Sequence, residues 1–227
     1  MQAETVVAAV VRLLDQTGMR IGNDVYAAES GSCGLTTLKN RHARISGNHL
    51  TLEFKGKSGV MQHSDLTDRR VVRIVQQCHE LPGQRLFQFV DDEGNVQHVR
   101  SEHVNDYIRA ASGEDFTAKD FRTWHASVRA MKLVLEAADR ASGDDGFELE
   151  ATARVKQVAQ RLGNTCAVCR KFYIHPRVLS LCDELPSPQL PPPRRKTGLD
   201  EAENALLALL APSTKRIQRS ASPASRM

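Results

Sequence analysis

Apolar residues recur at helical spacing over Glu4–Thr17, where Val6, Val7, Val10, Leu13 and Leu14 share one face and Gly18 closes the segment. The period then shortens. Gly34–Leu38, Ala43–Ile45 and His49–Phe54 read as strands, and Lys55-Gly-Lys-Ser-Gly59 turns the chain back through Val60–His63. This predicts a small antiparallel sheet within about residues 34–65, with Lys57 at or beside a hairpin tip. After Asp65 the pattern is helical: about Asp68–Glu80, closed by Leu81-Pro-Gly83, then a short loop or strand at Leu86–Val90 with a turn at Asp91–Gly94, then a helix after Ser101. Thr117 with Asp120 three residues on resembles a capping box for a long helix running to near Ser142-Gly143, with Phe121, Trp124, Val128, Met131 and Leu135 as its buried stripe. Another helix is expected over Glu150–Leu162, stopped by Gly163, and Thr165 is placed to cap a last one carrying Tyr173. The fold class expected is α+β, mainly α, with the sheet near the N-terminus.

From Leu185 the composition changes. Pro186, Pro188 and Pro191 to Pro193, followed by Arg194-Arg-Lys196, read as an extended, solvated linker. Leu199–Ala211 suits one short helix, and the low hydrophobicity of Pro212–Met227 predicts disorder. The expected organisation is therefore one domain over 1–182, with a β subregion at about 34–65 and a helical one at about 66–182, and a linker, short helix and tail over 183–227.

With 227 residues, 41% of them apolar, the chain can bury one good core, or one core and a satellite. It has no run near the roughly 20 apolar residues that span a bilayer, and no basic-then-apolar N-terminal signal. Five cysteines (33, 78, 166, 169 and 182), odd in number and without framework spacing, argue for reduced thiols in a cytosolic setting. The net charge of +4 permits nucleic-acid binding only through a local patch. Cys166 and Cys169 have a two-ligand metal spacing but need two more ligands, so packing is the simpler reading and no metal is expected.

The run Leu162-Gly-Asn-Thr-Cys-Ala-Val-Cys-Arg-Lys-Phe-Tyr173 raises a chemical question: whether its phenol attacks a phosphodiester. A phenol titrates near pH 10, so attack at neutral pH needs nearby cations. Charge builds on the non-bridging oxygens, which arginine forks match. The departing sugar oxygen needs a proton donor. Two arginines, a lysine and a neutral donor would suffice, without a metal. Arg20 stands just past the first helix, Lys57 on a glycine-flanked turn, Arg122 in the first turns of the long helix and Asn164 between two helices.

Spacing alone does not assemble these residues, but a resemblance does. Arg20-Ile-Gly-Asn23 with Tyr26, Gly34-Leu-Thr-Thr-Leu-Lys39, Phe54-Lys-Gly-Lys57, Lys119-Asp-Phe-Arg-Thr123, and Leu162-Gly-Asn-Thr165 through Arg170-Lys-Phe-Tyr173 occur in this order. In them the chain resembles the catalytic domain of type IB DNA topoisomerases, the compact poxviral and bacterial sort, from near its first residue to about Val178. The resemblance implies that Tyr173 forms a 3′-phosphotyrosyl link, that Arg20 and Arg122 clamp the phosphate, and that Lys57 protonates the 5′ oxygen. Asn164 would donate to the phosphate where the family often has histidine. Lys55, Lys119, Arg170, Lys171 and Tyr26, in the same segments, would contact DNA. The implied partner is double-stranded DNA, relaxed by a monomer with no cofactor, no metal and no membrane, in the cytoplasm and at the nucleoid.

Each residue also has an ordinary structural reading. Tyr173 could be a half-buried packing residue, Arg20 a surface ion-pair partner, Lys57 a solvated tip with Lys55 equally basic beside it, Arg122 a partner of Asp120 or a cover for Trp124, and Asn164 a turn residue. The ordered combination outweighs these. Tyrosine recombinases share the constellation on a related fold but usually carry His-x-x-Arg where this chain has Lys119-Asp-Phe-Arg122. Family members also place a small β domain and lead-in helices before the first arginine. Here Arg20 follows only the first helix, so the chain is expected to begin inside the catalytic domain, and an inactive DNA-binding remnant is the other rival.

Overall fold

A computed structural model describes residues 1–141, 151–184, 190 and 196–211. Its two hydrophobic clusters meet along one long helix. Helix α1 (Ala3–Thr17) buries Val6, Val7, Val10, Leu13 and Leu14 and ends where Gly18 turns left-handed (φ 62°), its N–H closing onto Leu14 O at 2.9 Å. Short α2 (Asp24–Ser30) is capped by the Asn23 side chain and buries nothing.

The expected strand at Gly34–Leu38 is instead a single 3-10 turn over Leu35–Thr37. Its backbone is committed elsewhere: Leu35 N–H and Thr36 N–H donate to Arg20 O and Ile21 O, and Thr37 N–H returns to Gly34 O. Leu35 and Leu38 are fully buried, so the apolar signal marked core rather than a ladder. The sheet proper is antiparallel, in the order β1 (Ala43–Ser46), β2 (His49–Lys55), β3 (Met61–Thr67), with Leu52 opposite both Ala43 and Ser64. Leu50, Leu52 and Phe54 alternate inward onto α1 and α3 (Arg69–His79). A second pair, β4 (Gln88–Val90) and β5 (Val96–His98), leads to α4 (Ser101–Ser112), and these elements complete the first cluster.

Helix α5 (Ala118–Ala141) starts with the expected Thr117–Asp120 capping interaction, Thr117 N–H and Oγ1–H both donating to Asp120 Oδ2. Of its expected stripe, only Met131 is fully enclosed; Phe121, Trp124, Val128 and Leu135 are half-buried. The innermost line is Arg122, Ala126, Ser127, Ala130 and Val134. The cause is that α5 is sandwiched: Phe121 leans on the first cluster, while Trp124, Val128 and Leu135 flank the second, and small residues let neighbouring helices approach between them.

The second cluster joins α5 to α6 (Ala151–Leu162), α7 (Cys166–Phe172), α8 (Pro176–Asp183) and α9 (Glu201–Leu210). Thr165 caps α7 as anticipated, its Oγ1 accepting from Val168 N–H at 3.3 Å. Helix α9 buries Ala202 and Leu206 against α5, and its Glu203 carboxylate accepts from Trp124 Nε1–H at 3.3 Å. The expected end of α5 at Ser142-Gly143, the start of α6 at Glu150, most of the proline-rich linker and the tail from Pro212 lie outside the described residues. Among the described residues no helix is long and apolar enough to cross a membrane.

Asp68 ties α3 to α1. One carboxylate oxygen caps α3 through Arg70 and Val71 N–H, and the other accepts from Arg12 Nε at 2.6 Å and Gln16 Nε2 at 3.0 Å. Burial alone would raise its pKa, but the Arg12 guanidinium, the backbone N–H groups and the Gln16 amide outweigh it and hold the value at about 2. The folded pKa lies below the unfolded one, so this stabilisation is complete above about pH 4 and disappears as pH falls towards 2. Asp68→Ala should therefore cost about 2 kcal/mol at pH 7, with the deficit shrinking between pH 4 and pH 2, measured by denaturant unfolding across that range.

Candidate active site

Four of the five sequence-nominated catalytic residues line one groove of about 770 Å³: Arg20, Lys57, Arg122 and Tyr173, with Lys55, Lys119 and Tyr26 among its other walls. The fifth, Asn164, adjoins it through Arg20, whose NH2 donates to Asn164 Oδ1 at 2.5 Å. Arg170 and Lys171, on α7, do not line the groove.

Arg122 is 4% exposed, yet it pairs with no carboxylate among the described residues. Asp120, its candidate partner, is taken by Thr117. Instead Arg122 NH1 donates to Gly18 O and NH2 to Leu162 O at 2.9 Å. Those carbonyls belong to the C-terminal ends of α1 and α6, where unsatisfied acceptors and the helix dipole give partial negative charge. Its Nε has no partner among the described residues, and its Cζ lies 5.2 Å from the Tyr173 ring centroid. Burial, followed by the charge of Arg20, lowers its pKa, while the Tyr173 side chain opposes the shift. An arginine keeps its proton regardless. Two guanidinium groups thus line the groove with no neutralising carboxylate among the described residues, an arrangement that can accept an anion.

The Arg20 loop is held by a close backbone crossing. A Cβ on Gly34 would fall 2.4 Å from Gly22 N and 2.7 Å from Arg20 O. Only glycine permits the approach that lets Leu35 and Thr36 bond Arg20 O and Ile21 O, with Thr36 Oγ1 also on Ile21 O at 3.0 Å. Lys57 opens the tight turn from Gly56 to Val60, in which Gly56 N–H meets Val60 O at 2.8 Å and Ser58 takes φ 61°. Its side chain is exposed and makes no ion pair among the described residues.

Asn164 follows Gly163, left-handed at φ 59°, in the turn between α6 and α7. Its oxygen serves Arg20 while its Nδ2, shut from solvent, has no acceptor among the described residues. That leaves a donor available. Tyr173 ends α7, its N–H on Cys169 O at 3.1 Å, and Ser127 secures the turn that follows: its Oγ donates to Tyr173 O at 3.3 Å and accepts from His175 N–H at 3.0 Å. Ser127, Gly34 and the Gly18 and Leu162 carbonyls were not nominated from the sequence. A serine at an otherwise buried helical position is the one signal there was. Cys169 is buried, its thiol pKa pushed up by that burial, and among the described residues no cluster of three or more His, Cys, Asp or Glu is placed to hold a metal.

A family profile described as "Eukaryotic DNA topoisomerase I, catalytic core" matches residues 1–184. The chain belongs to this family, the type IB DNA topoisomerases, and represents its catalytic domain. It is 29% identical over 187 residues to the DNA topoisomerase 1B of Acanthamoeba polyphaga mimivirus, a match covering 80% of this chain and 56% of that protein. The chain thus spans little more than half the length of the curated relative it matches. Among solved structures it is similar to the XerH site-specific recombinase, described as bound to its difH substrate in a pre-cleavage complex, at 15% identity and a TM-score of 0.43, covering 82% of this chain and 48% of that one.

The crossing makes a direct prediction. Gly34→Ala drives a methyl group into backbone and should destabilise the protein by about 1–3 kcal/mol. Ser32→Ala, on the same loop but half-exposed, should leave the unfolding midpoint within error in the same denaturant titration.

Proposed function

We propose that this chain cuts and reseals one strand of duplex DNA, relaxing supercoils of either sign. The observation that carries this reading is the convergence of Arg20, Lys57, Arg122 and Tyr173 on one groove, although they come from four separate segments. The phenol oxygen of Tyr173 attacks the phosphorus and its proton passes to solvent. The bond from phosphorus to the 5′ oxygen breaks, leaving a 3′-phosphotyrosine and a free 5′-hydroxyl. Arg20 and Arg122 stabilise the charge that grows on the non-bridging oxygens, in a site whose fixed donors need no reorganisation. The Asn164 Nδ2–H, without an acceptor among the described residues, adds a neutral donor. Lys57, on its exposed turn, gives a proton to the departing oxygen. The phosphotyrosine keeps the bond energy, so resealing is the reverse attack and requires neither ATP nor a metal. Lys55, Lys119 and Tyr26, the last 69% exposed, contact the DNA along the groove, and Arg170 and Lys171 reach it from α7.

Plasmid relaxation in EDTA without ATP tests the reading. Wild-type protein should give relaxed topoisomers, and Tyr173→Phe should give none while still retarding DNA in a gel. Products confined to paired specific sites would make the chain a recombinase, and retardation by the wild type without relaxation would make it a DNA-binding protein only. Lys57→Ala should slow strand cleavage by about 10²–10⁴-fold, the usual contribution of a general acid. Replacing the leaving 5′ oxygen with sulfur, which departs without a proton, should restore the rate. If sulfur does not rescue Lys57→Ala, another group donates, and Lys55 is the first alternative.

A further inference from the structure

Resting on that cleavage reading, we infer that Gln62 is a positioning residue that sets the Lys57 turn against the Asn164 side of the groove. Gln62 lies on β3, opposite Phe54, and points with the inward half of the strand although its side chain is polar. Two glycines make room for it. A Cβ on Gly56 would fall 2.8 Å from Gln62 Cγ, and a Cβ on Gly163 would fall 2.7 Å from Gln62 Nε2 and 3.3 Å from its Oε1. Gly56 immediately precedes Lys57. Gly163 sits between Leu162, whose carbonyl holds Arg122, and Asn164, which receives Arg20. One side chain therefore spans from the hairpin that carries the proton donor to the turn that organises both arginines.

Hydrogen bonding does not explain why the amide sits there. Among the described residues its one hydrogen bond is a long contact of 3.4 Å to the neighbouring Met61 O. Shape holds it: the side chain fills space that both glycines leave empty. Lys57 itself makes no ion pair among the described residues, and its turn contains Ser58 in the left-handed region, so the hairpin needs an external stop. A shorter residue at 62 would leave a gap between hairpin and turn, and Lys57 would then sample positions remote from the leaving oxygen. Arg122, seated on Gly18 O and Leu162 O, and Arg20, bonded to Asn164 Oδ1, would keep those hydrogen bonds, since neither is made by Gln62.

That separation dictates the experiment. Single-turnover cleavage is measured on duplexes carrying either the ordinary bridging 5′ oxygen or sulfur in its place. Gln62→Ala should slow the oxygen substrate about tenfold, since misplacing a group by a fraction of an ångström forfeits part of its contribution, and should leave the sulfur substrate within about twofold of wild type. Gln62→Met, which keeps the length without the amide, should behave like wild type on both substrates. Gln62→Asn, one methylene shorter, should reproduce the contrast and serves if the alanine variant folds poorly. Equal slowing on both substrates would assign Gln62 to general packing, and no slowing on either would remove it from the chemistry. Either result overturns the proposal. If Lys57→Ala itself lacks the oxygen–sulfur contrast, the failure lies in the assignment of Lys57, while a wild-type protein that cleaves neither substrate refutes the cleavage reading itself.

Discussion

The structure turns on a buried cation that pairs with no carboxylate among the described residues. Arg122 enters the protein interior from α5 and spends its two terminal nitrogens on the ends of α1 and α6. Each helix would otherwise leave a C-terminal carbonyl short of a donor, and each presents partial negative charge there. Neither end supplies a full counter-charge. The residual positive charge, joined by that of Arg20, is directed at the groove. The same side chain that fastens the first hydrophobic cluster to the second therefore creates the electrostatic demand that a phosphate could meet. A carboxylate in place of either carbonyl would stabilise the arginine better and abolish that demand.

Around this arginine, positions far apart in sequence are brought together by contacts that are mostly backbone. The crossing of Gly22 and Gly34 sets the Arg20 loop, the Ser127 hydroxyl sets the turn after α7, and the left-handed Gly163 carries Asn164 out of α6. These backbone donors and acceptors belong to helices and turns that are ordered in any case, whereas pinning a long side chain costs up to about 2 kcal/mol more in rotamer freedom. The side chains at the groove are thereby left with capacity to spare: Arg122 Nε and Asn164 Nδ2 lack partners among the described residues, although buried polar atoms seldom do.

Much of the architecture could be read from periodicity and caps. The α1 face, the Thr117–Asp120 interaction, the stops at Gly18 and Gly163 and the β2–β3 hairpin all follow local rules, and the structure agrees with each. The segment Gly34–Leu38 has the apolar pattern of a strand because its leucines are buried, yet Leu35 and Thr36 N–H find their partners in the Arg20 loop, a long-range fact with no local signature. The stripe on α5 was misplaced for a similar reason: a helix packed on two sides hides its small residues deepest, whereas a hydrophobicity pattern favours the large ones. For the groove, ordered motifs nominated the side chains. They could not disclose that Arg122 leans on two carbonyls, since every residue carries one and sequence does not mark which is used.

The order of the segments has a consequence for biosynthesis. The cations at Arg20, Lys57 and Arg122 leave the ribosome first, and the phenol emerges only after α6, whose last carbonyl completes the seat of Arg122. A nascent or prematurely terminated chain thus carries basic groups able to meet a phosphate but no nucleophile to cut it. On the proposed chemistry, a chain that stops short of Tyr173 has no means to nick, and α8 and α9, which follow the phenol, still have to close the second hydrophobic cluster around it.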